Sequence, residues 1–401
     1  RTCKCSILTK INMNILYIVP TSLLLDERTG VSRKIYSVVN ELELLGAKVK
    51  ILCFTNEVTK REDIKSNCTV YPIRDNNWYL TMSEAISEYE TWTDKIFCRY
   101  VFASEDIYKL VKKFTGRFYF EHNAIEENEA LILQEKHFKS LPFSFAPSYL
   151  KYWFKTMVLK ETQEKKLGIE ILEQAKAGIC VTYEIEAHKK KRCKSYKTTV
   201  ISNGAGQPND ILNKVPAFTD TLKCFMLLGE YASWHGVERI CESLEKYKGT
   251  TKIEVALIGI ETVNYDLKKL PPNCKVLLQK RSANYYLDYG LSNYHLSFST
   301  LSLYKEGMKE SSSLKLRDSM LIGFPVVIGY DDTDIVSTNL FNDYVMQVSN
   351  SAELLDFNEM IRFYERIHAI ENYPEKIREL ASDKFTFKVK DKELFDFFKS
   401  T

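Results

Sequence analysis

The sequence predicts an α/β protein of two doubly wound, Rossmann-like domains that face each other across a cleft. Three observations predict this fold. Short apolar runs alternate with helical patterns of apolar residues along most of the chain. The alternation stops at a cluster of turn-forming residues, 202–208, and then begins again. The length of 401 residues suits two domains, since one domain commonly has roughly 150 residues.

The first half of the chain begins with a predicted β-α-β unit. Residues 14–19 form an apolar run, residues 31–45 have helical apolar spacing, and residues 49–54 form a second apolar run. Gly46 ends the helix, and a right-handed crossover makes the two strands parallel. Further elements of this half are predicted strands at 95–101, 118–121, 178–182 and 199–201, and predicted helices at 105–114 and 161–177.

The second half repeats the alternation, with predicted strands at 223–228, 253–258, 276–278, 296–298 and 325–328 and a helix at 236–247. Doubly wound sheets bind ligands outside the carboxyl ends of their strands, so the cleft between the domains is the predicted binding site. We predict a first domain at 13–203 and a second at 204–385. Residues 386–401 then form a C-terminal helix that could pack back on either domain, with the first preferred.

Composition excludes several classes of protein. The net charge of +3 gives no global basic surface, so no nucleic-acid partner is predicted. No apolar window approaches the ~18 residues of a membrane span, and residues 1–12 are interpreted as a leader before Met13. The ten cysteines have no CxxC pair and no zinc-ligand spacing, which favours free thiols in a reducing cytosol and predicts no metal. No cofactor-binding GxGxxG or Walker A motif is present.

Residues 310–325 carry the predicted chemistry. They follow a predicted strand, and the serines at 311–313 can cap a helix that begins near Leu314. The N-terminus of such a helix presents backbone N–H groups and a partial positive charge, which suit a phosphate. Lys315 and Asp318 are three residues apart and share a helix face. The pair offers a cation for a pyrophosphate and a carboxylate for ribose hydroxyls.

The same segment resembles a known family. Seven residues separate Glu310 from Asp318, as in the paired-acid motif Glu-x7-Glu, and residues 312–326 are similar to the form Ser-Pro-Leu-Lys-x-Arg-Glu-Tyr-Leu-Ala-x-Gly-x-Pro-Val. Further matches are Trp-His-Gly-x-x-Arg at 234–239, an Asn-Gly hinge at Asn203-Gly204 and a glycine loop at Gly30-Val31-Ser32. In these motifs the chain resembles retaining GT-B glycosyltransferases of family four, in the form common among bacterial polysaccharide enzymes.

The resemblance implies a GT-B architecture and a metal-independent reaction that retains the anomeric configuration. It places a nucleotide-diphosphate sugar donor on the second domain and an acceptor on the first. Glu310 would lie against the donor sugar, Asp318 would accept the ribose hydroxyls, and Lys315 would neutralise the pyrophosphate. Gly30 would let the backbone approach the phosphate. The donor itself is a substrate, so no cofactor is implied.

Several residues depart from the family's pattern. Asp318 is one methylene shorter than the usual glutamate, and the pair Ser312-Ser313 stands where the form has Ser-Pro. His235 stands where the family usually has a lysine, and Glu230 where it often has an arginine. The predicted donor-binding set therefore includes His235, Ser312 and Ser313, with phosphate neutralisation left to Lys315, Arg317 or Arg239.

His122 is the second candidate catalytic residue. It follows the predicted strand 118–121 in the sequence Glu121-His122-Asn123, and loops after strands face the cleft of such folds. The alternative interpretation is a solvated acidic loop.

Two further segments suggest contact with a membrane surface. Residues 143–159 interleave aromatic side chains with lysines, and residues 188–194 form a basic run. Together they could rest on anionic lipid, which would suit a lipid-linked acceptor. The alternative is a buried aromatic helix and a solvated charged turn.

These features predict a cytoplasmic retaining glycosyltransferase, with the inner face of the cell membrane as an alternative location. It would move a sugar from a nucleotide-diphosphate sugar to a glycan or lipid-linked acceptor during surface polysaccharide synthesis. Two other functions stay open: a sugar-nucleotide epimerase of the same architecture, and a non-catalytic glycosyltransferase-like binding subunit. The departures at Asp318 and Glu230 keep the second of these open.

Overall fold

Two parallel sheets organise the chain. The computed structural model describes residues 13–19, 30–73, 78–100, 102–128, 159–208, 210–211, 213–216, 218, 220–229, 231–280, 291–336 and 338–401.

The first domain contains eight strands and five described helices. Its strands are β1 (Met13–Val19), β2 (Ala47–Thr55), β3 (Glu62–Lys65), β4 (Cys68–Pro72), β5 (Lys95–Arg99), β6 (Phe118–His122), β7 (Ala177–Cys180) and β8 (Thr198–Val200). Its helices are α1 (Gly30–Leu44), α2 (Trp78–Glu88), α3 (Glu105–Lys113), α4 (Leu159–Gln174) and α5 (Tyr183–Arg192). The strand order is β3-β4-β2-β1-β5-β6-β7-β8, and only β3 pairs antiparallel with its neighbour.

The central strand β1 is apolar apart from Asn14, because helices cover both faces of the sheet. Ile15 and Tyr17 point to one face, where they join the core beneath α1. Leu16 and Ile18 point to the other face and pack with residues of α2 and α3. Alternate side chains of one strand therefore supply two separate cores.

The second domain is built on a six-stranded, fully parallel sheet. Its strands are β9 (Thr221–Leu227), β10 (Lys252–Ile258), β11 (Cys274–Gln279), β12 (Leu296–Phe298), β14 (Val326–Ile328) and β16 (Val345–Gln347), in the order β11-β10-β9-β12-β14-β16. A two-stranded ladder joins β13 (Glu310–Ser311) to β15 (Asp331–Asp332). The helices are α6 (Val237–Glu245), α7 (Leu314–Leu321), α8 (Phe357–His368), α9 (Tyr373–Phe385) and α10 (Phe387–Ser400).

The predicted α/β class and doubly wound parallel sheets are confirmed, but several elements escape the sequence patterns. Strand β3 was not predicted because all four of its residues are exposed, so it has no apolar alternation. The small ladder of β13 and β15 is too short to show a period. The eight cysteines of the described residues are buried free thiols.

The chain crosses between the domains twice, and the two crossings lie side by side. Ala205 donates its N–H to the carbonyl of Phe385 at 2.7 Å, and Phe387 donates to the carbonyl of Ala205 at 3.0 Å. A β-carbon on Gly204 would lie 3.0 Å from the Cα of Phe387, so the close approach favours glycine at this position.

After the second crossing, α10 packs on the first domain. Leu394, Phe395 and Phe398 belong to the core beneath α1. The ring of Phe398 makes edge contacts with Phe97 and Tyr119, at centroid distances of 5.4 and 5.2 Å. The last helix therefore completes the core of the domain in which the chain begins.

Candidate functional site

A cleft of about 540 Å³ lies between the two domains. The first domain lines it with residues that follow the carboxyl ends of its strands or lie in α1, including Lys34, Arg99, Asn123, Glu126, Thr182 and Asn203. The second domain contributes Trp234, Thr300, Glu306 and the run from Glu310 to Lys315. This position and size match the ligand sites of doubly wound proteins, which commonly enclose about 300–1,000 Å³.

Glu310 caps a helix of the opposite domain. Its carboxylate accepts hydrogen bonds from the backbone N–H groups of Tyr183 and Glu184, at 3.2 and 2.7 Å. In return, Glu184 Oε2 accepts from the N–H groups of Lys309 and Glu310, at 2.9 and 2.8 Å. The first N–H groups of a helix have no partner within it, so a carboxylate at the start of α5 is stabilising. We call this reciprocal pair, Glu184 with Glu310, the carboxylate clamp.

Lys315 and His235 meet at the wall of the cleft. Lys315 Nζ lies 3.1 Å from His235 Nε2. Burial, helped by the nearby Lys315 charge, lowers the pKa of His235 well below its ordinary value. The imidazole is therefore neutral at pH 7 and accepts a hydrogen bond from the ammonium. The local positive charge belongs to Lys315.

The turn that carries His235 depends on a glycine. The short 3₁₀ helix Ser233–His235 ends at Gly236, which has a φ of 83°. A β-carbon on Gly236 would lie 2.8 Å from the β-carbon of Leu301. Any larger residue would therefore displace the loop that positions His235.

The serines before α7 do not cap it as the sequence suggested. Ser313 occupies the N-cap position, but its side chain accepts no N–H of the helix. Its hydroxyl instead accepts from Ser299 Oγ at 3.1 Å. Ser312 Oγ accepts from the N–H of Asn203 at 2.7 Å. With both hydroxyls engaged elsewhere, neither serine caps the N-terminus of α7 where it meets the cleft.

Asp318 lines a second cavity rather than the main cleft. Its Oδ2 lies 3.3 Å from the guanidinium of Arg33, an ion pair that joins the two domains. Both residues border a cavity of about 280 Å³ with Tyr36, Lys65 and Phe387. Burial raises the pKa of Asp318, and the Arg33 charge opposes this shift. A ribose contact for Asp318 would require the Arg33 pair to open.

The two arginines of the predicted donor set have structural partners. Arg317 is fully buried and donates to both oxygens of Asp332, at 2.5 and 3.0 Å, and to Asp334 at 2.8 Å. Arg239 is also buried, and it donates to the carbonyls of Glu353 and Ser349 at 2.6 and 2.9 Å. The predicted phosphate role of both is therefore corrected, because neither guanidinium faces the cleft.

His122 lies beneath the cleft surface and is fully buried. Its Nδ1 is 3.3 Å from Glu126 and its Nε2 is 3.2 Å from the hydroxyl of Tyr196. Burial lowers the pKa of His122 to about 4, so the ring is neutral at pH 7. Glu126, which also contacts Lys189, lines the cleft instead. The prediction of His122 as a catalytic residue is corrected to a supporting position behind Glu126.

Gly30 is the first residue of α1, directly before the cleft-lining residue Val31. The loop before it, and Glu230, lie outside the described residues, as does the aromatic segment 143–158. The basic run 188–194 is only partly exposed. Lys189 is fully buried against Glu126, and Arg192 pairs with Glu127 and Glu164 at 2.9 Å.

Lys34 and Asn203 are cleft residues to which the sequence analysis assigned no binding role. Lys34 Nζ lies 2.6 Å from Glu121, 2.6 Å from Asn203 and 3.3 Å from Asn123. Asn203 also donates its side-chain amide to the carbonyl of Ser312 at 2.7 Å. The sequence could have identified Lys34, because it falls between apolar positions of α1 that face the core. An unpaired lysine is rare in such a position.

Within the described residues, no group of three or more His, Cys, Asp or Glu side chains is placed to hold a metal ion. Nor does any helix in the described part of the chain have the length and apolarity to cross a membrane.

Solved glycosyltransferases have similar folds over nearly the whole chain. A glycosyltransferase from Rickettsia africae is 15% identical, with a TM-score of 0.58 over 97% of this chain and 98% of that chain. HepE from Anabaena, solved with UDP and glucose, is 11% identical, with a TM-score of 0.58 over 97% of this chain and 100% of that one. The lipopolysaccharide outer core galactosyltransferase WaaB is 12% identical, with a TM-score of 0.57 over 96% and 100%.

No protein-family model matches the sequence, and no curated protein sequence matches it. The fold is nevertheless clear from the two parallel sheets, the cleft between them and the structural likeness at full length. The chain has the GT-B glycosyltransferase fold.

Proposed function

We propose that the protein is a retaining glycosyltransferase that uses a nucleoside-diphosphate sugar. The observation that carries this proposal is the meeting of Glu310, Lys315 and the N-terminus of α7, which Ser313 does not cap, in one interdomain cleft. The likeness to HepE, which was solved with UDP-glucose, agrees with it. We place the reaction in the cytoplasm, during synthesis of a surface polysaccharide, with a glycan or lipid-linked acceptor.

The second domain would hold the donor diphosphate. Lys315 supplies a positive charge at the cleft wall, and the first N–H groups of α7 supply a partial positive charge beside it. These groups would stabilise the negative charge that gathers on the departing diphosphate, without a metal ion. Asp318 would reach the ribose once its Arg33 pair opens, and Ser312 and Ser313 would fix the backbone between Glu310 and α7.

Glu310 would lie beside the anomeric carbon. The bond from this carbon to the diphosphate oxygen breaks, and its electron pair leaves with the diphosphate. The acceptor hydroxyl forms the new bond from the same face, and its proton passes to the leaving diphosphate. Positive charge develops on the sugar between these events, as in glycoside hydrolysis, and a carboxylate stabilises it. The clamp occupies two of the roughly four acceptor positions of the Glu310 carboxylate, so others are left for the sugar.

Donor binding is the first test. We would measure calorimetric binding of UDP, GDP and their sugars to the wild type, Lys315→Met and Lys275→Met. Because a hydrogen bond from a charged group contributes about 1.5–3 kcal/mol, Lys315→Met should weaken binding roughly 10- to 100-fold. Lys275 is exposed on β11, so its variant is the matched control. If no nucleotide sugar binds the wild type, the proposal is wrong.

Transfer is the second test. Glu310→Gln should lower the rate of sugar transfer at least about 100-fold while donor affinity stays within about threefold, because the charge acts on the transition state. The anomeric configuration of the product, read by NMR, reports retention or inversion. EDTA should leave the rate unchanged. Conversion of the donor to an epimer without any acceptor would instead favour a sugar-nucleotide epimerase.

A further inference from the structure

We propose that an apolar cavity beside the cleft binds an apolar group of the acceptor, an inference that rests on the proposed transferase function. This side cavity encloses about 280 Å³ in the first domain. Its apolar wall consists of Trp78, Met82, Cys98, Tyr100, Phe102, Ile107 and Phe120, and its polar lining residues are Arg99, Ser104 and Asp106.

The side cavity adjoins the cleft at two shared lining residues. Arg99 ends β5, and both Arg99 and Tyr100 line the cleft as well as the side cavity. The cavity lies between the start of α2 and the start of α3, at the carboxyl ends of β5 and β6. A molecule that occupies the first domain's side of the cleft and extends past Arg99 would therefore reach the side cavity.

The lining favours an apolar occupant. Met82 and Phe120 are almost fully buried and form a closed floor. Trp78 and Phe102 are half-buried, so their rings still have surface that a ligand can cover. Ser104 Oγ is already committed, because it accepts the N–H of Ile107 as the cap of α3. Among the described lining residues outside the apolar wall, a sugar ring would find side-chain hydrogen-bond partners at Arg99, Ser104 and Asp106 alone, and burying its remaining polar groups without partners is costly.

Arg99 marks the boundary between the two environments. On one side lie the aromatic rings, and on the other lie polar cleft residues such as Asn123 and Glu126. An acceptor that fits both would be amphiphilic, with its apolar group past Arg99 and its reacting hydroxyl in the cleft. At about 280 Å³ the side cavity is slightly smaller than the roughly 300–1,000 Å³ of pockets for whole small ligands, so it suits a short alkyl or prenyl segment rather than a complete ligand. It thus selects acceptors with an apolar aglycone.

Chain-length dependence tests this inference. We would measure calorimetric binding of methyl, butyl and hexyl β-D-glucosides, below their micelle-forming concentrations and without donor. Burial of each methylene strengthens binding up to about fourfold, so hexyl should bind at least tenfold more tightly than methyl. Equal affinities for methyl and hexyl glucoside, or no binding of the hexyl compound, would overturn the inference.

Variants of Ile107 identify the place of binding. Ile107→Trp fills the side cavity and should remove most of the chain-length dependence, whereas Ile107→Ala leaves space and should keep it. Leu80→Trp adds the same ring on the exposed side of α2 and is the matched control. Ile107 is itself only half-buried, so these changes are compatible with folding, which a thermal melt checks. An undiminished chain-length dependence in Ile107→Trp would place the alkyl group elsewhere and refute the inference.

The two proposals fail separately. If none of UDP, GDP and their sugars binds the wild type, the transferase proposal fails, whatever the glucosides do. If a nucleotide sugar binds and the glucosides show no dependence on chain length, only the side-cavity inference fails.

Discussion

Replacement of Arg317 by methionine separates a structural role from a donor-binding role. The guanidinium is fully buried, and it is paired with Asp332, which is fully buried too, and with Asp334. Methionine has a similar length but no charge, so it leaves the Asp332 carboxylate buried and unpaired. Removing one partner of a buried ion pair costs about 3–5 kcal/mol. In a domain of roughly 150–250 residues this loss lowers the melting temperature by about 6–20 °C.

Calorimetric melts at pH 7 would measure the effect. Arg317→Lys keeps the charge but loses the two-point contact with the carboxylate, so its decrease in melting temperature should be smaller. Adding Asp332→Asn to Arg317→Met should recover part of the stability, because it removes the uncompensated charge. Arg362, exposed on α8, gives the control Arg362→Met, which should stay within about 0.5 kcal/mol of the wild type. If Arg317→Met has the same melting temperature as the control, the structural role of Arg317 is refuted. If it also loses UDP affinity, the result favours a donor-binding role instead.

Two further predictions concern His122 and Asn203. Burial lowers the pKa of His122 from 6.5 to about 4. As the pH falls, the unfolded chain therefore protonates this histidine before the folded chain does, and the free energy of unfolding decreases by about 3 kcal/mol between pH 7 and pH 4. His122→Phe should therefore flatten the pH dependence of the urea midpoint over this range, and an unchanged slope would contradict the assignment. Asn203→Ala removes the side-chain hydrogen bonds to the Ser312 carbonyl and from Lys34 Nζ, and should cost about 2–3 kcal/mol and raise the donor KM. Denaturation and initial rates check this against Asn342→Ala, an exposed control that should change neither quantity.

The elements that the sequence predicts best are those buried on both faces. Strands β1, β9 and β10 each end in a continuous run of at least four apolar residues, because helices cover both sides of a parallel sheet. Helix α8 was not predicted, although Phe357, Met360, Ile361 and Tyr364 follow helical spacing and are buried. The apolar spacing could therefore have predicted this helix. It could not have predicted strand β3, since an exposed strand is specified by its partner β4 rather than by its own residues.

For the candidate site, too, the sequence predicted what depends on neighbouring residues and missed what depends on distant ones. The seven-residue spacing led to Glu310 and Lys315 because they lie in one short segment. Whether an arginine faces the cleft depends on partners distant in sequence, and Arg317 finds its partners only at Asp332 and Asp334. One local signal was available: residues two apart on a helix point to different sides, so Lys315 and Arg317 of α7 cannot both face the donor.

The position of α10 also has a consequence for how the protein is made. Synthesis proceeds from the N-terminus, so every strand of the first sheet leaves the ribosome before α10 does. Until Phe398 is in place, the surface formed by Phe97 and Tyr119 lacks its cover. The first domain therefore keeps this apolar surface exposed to solvent while the second domain is translated. Nascent chains of this protein should need chaperone protection during that interval, and the two domains should reach their native state together rather than one after the other.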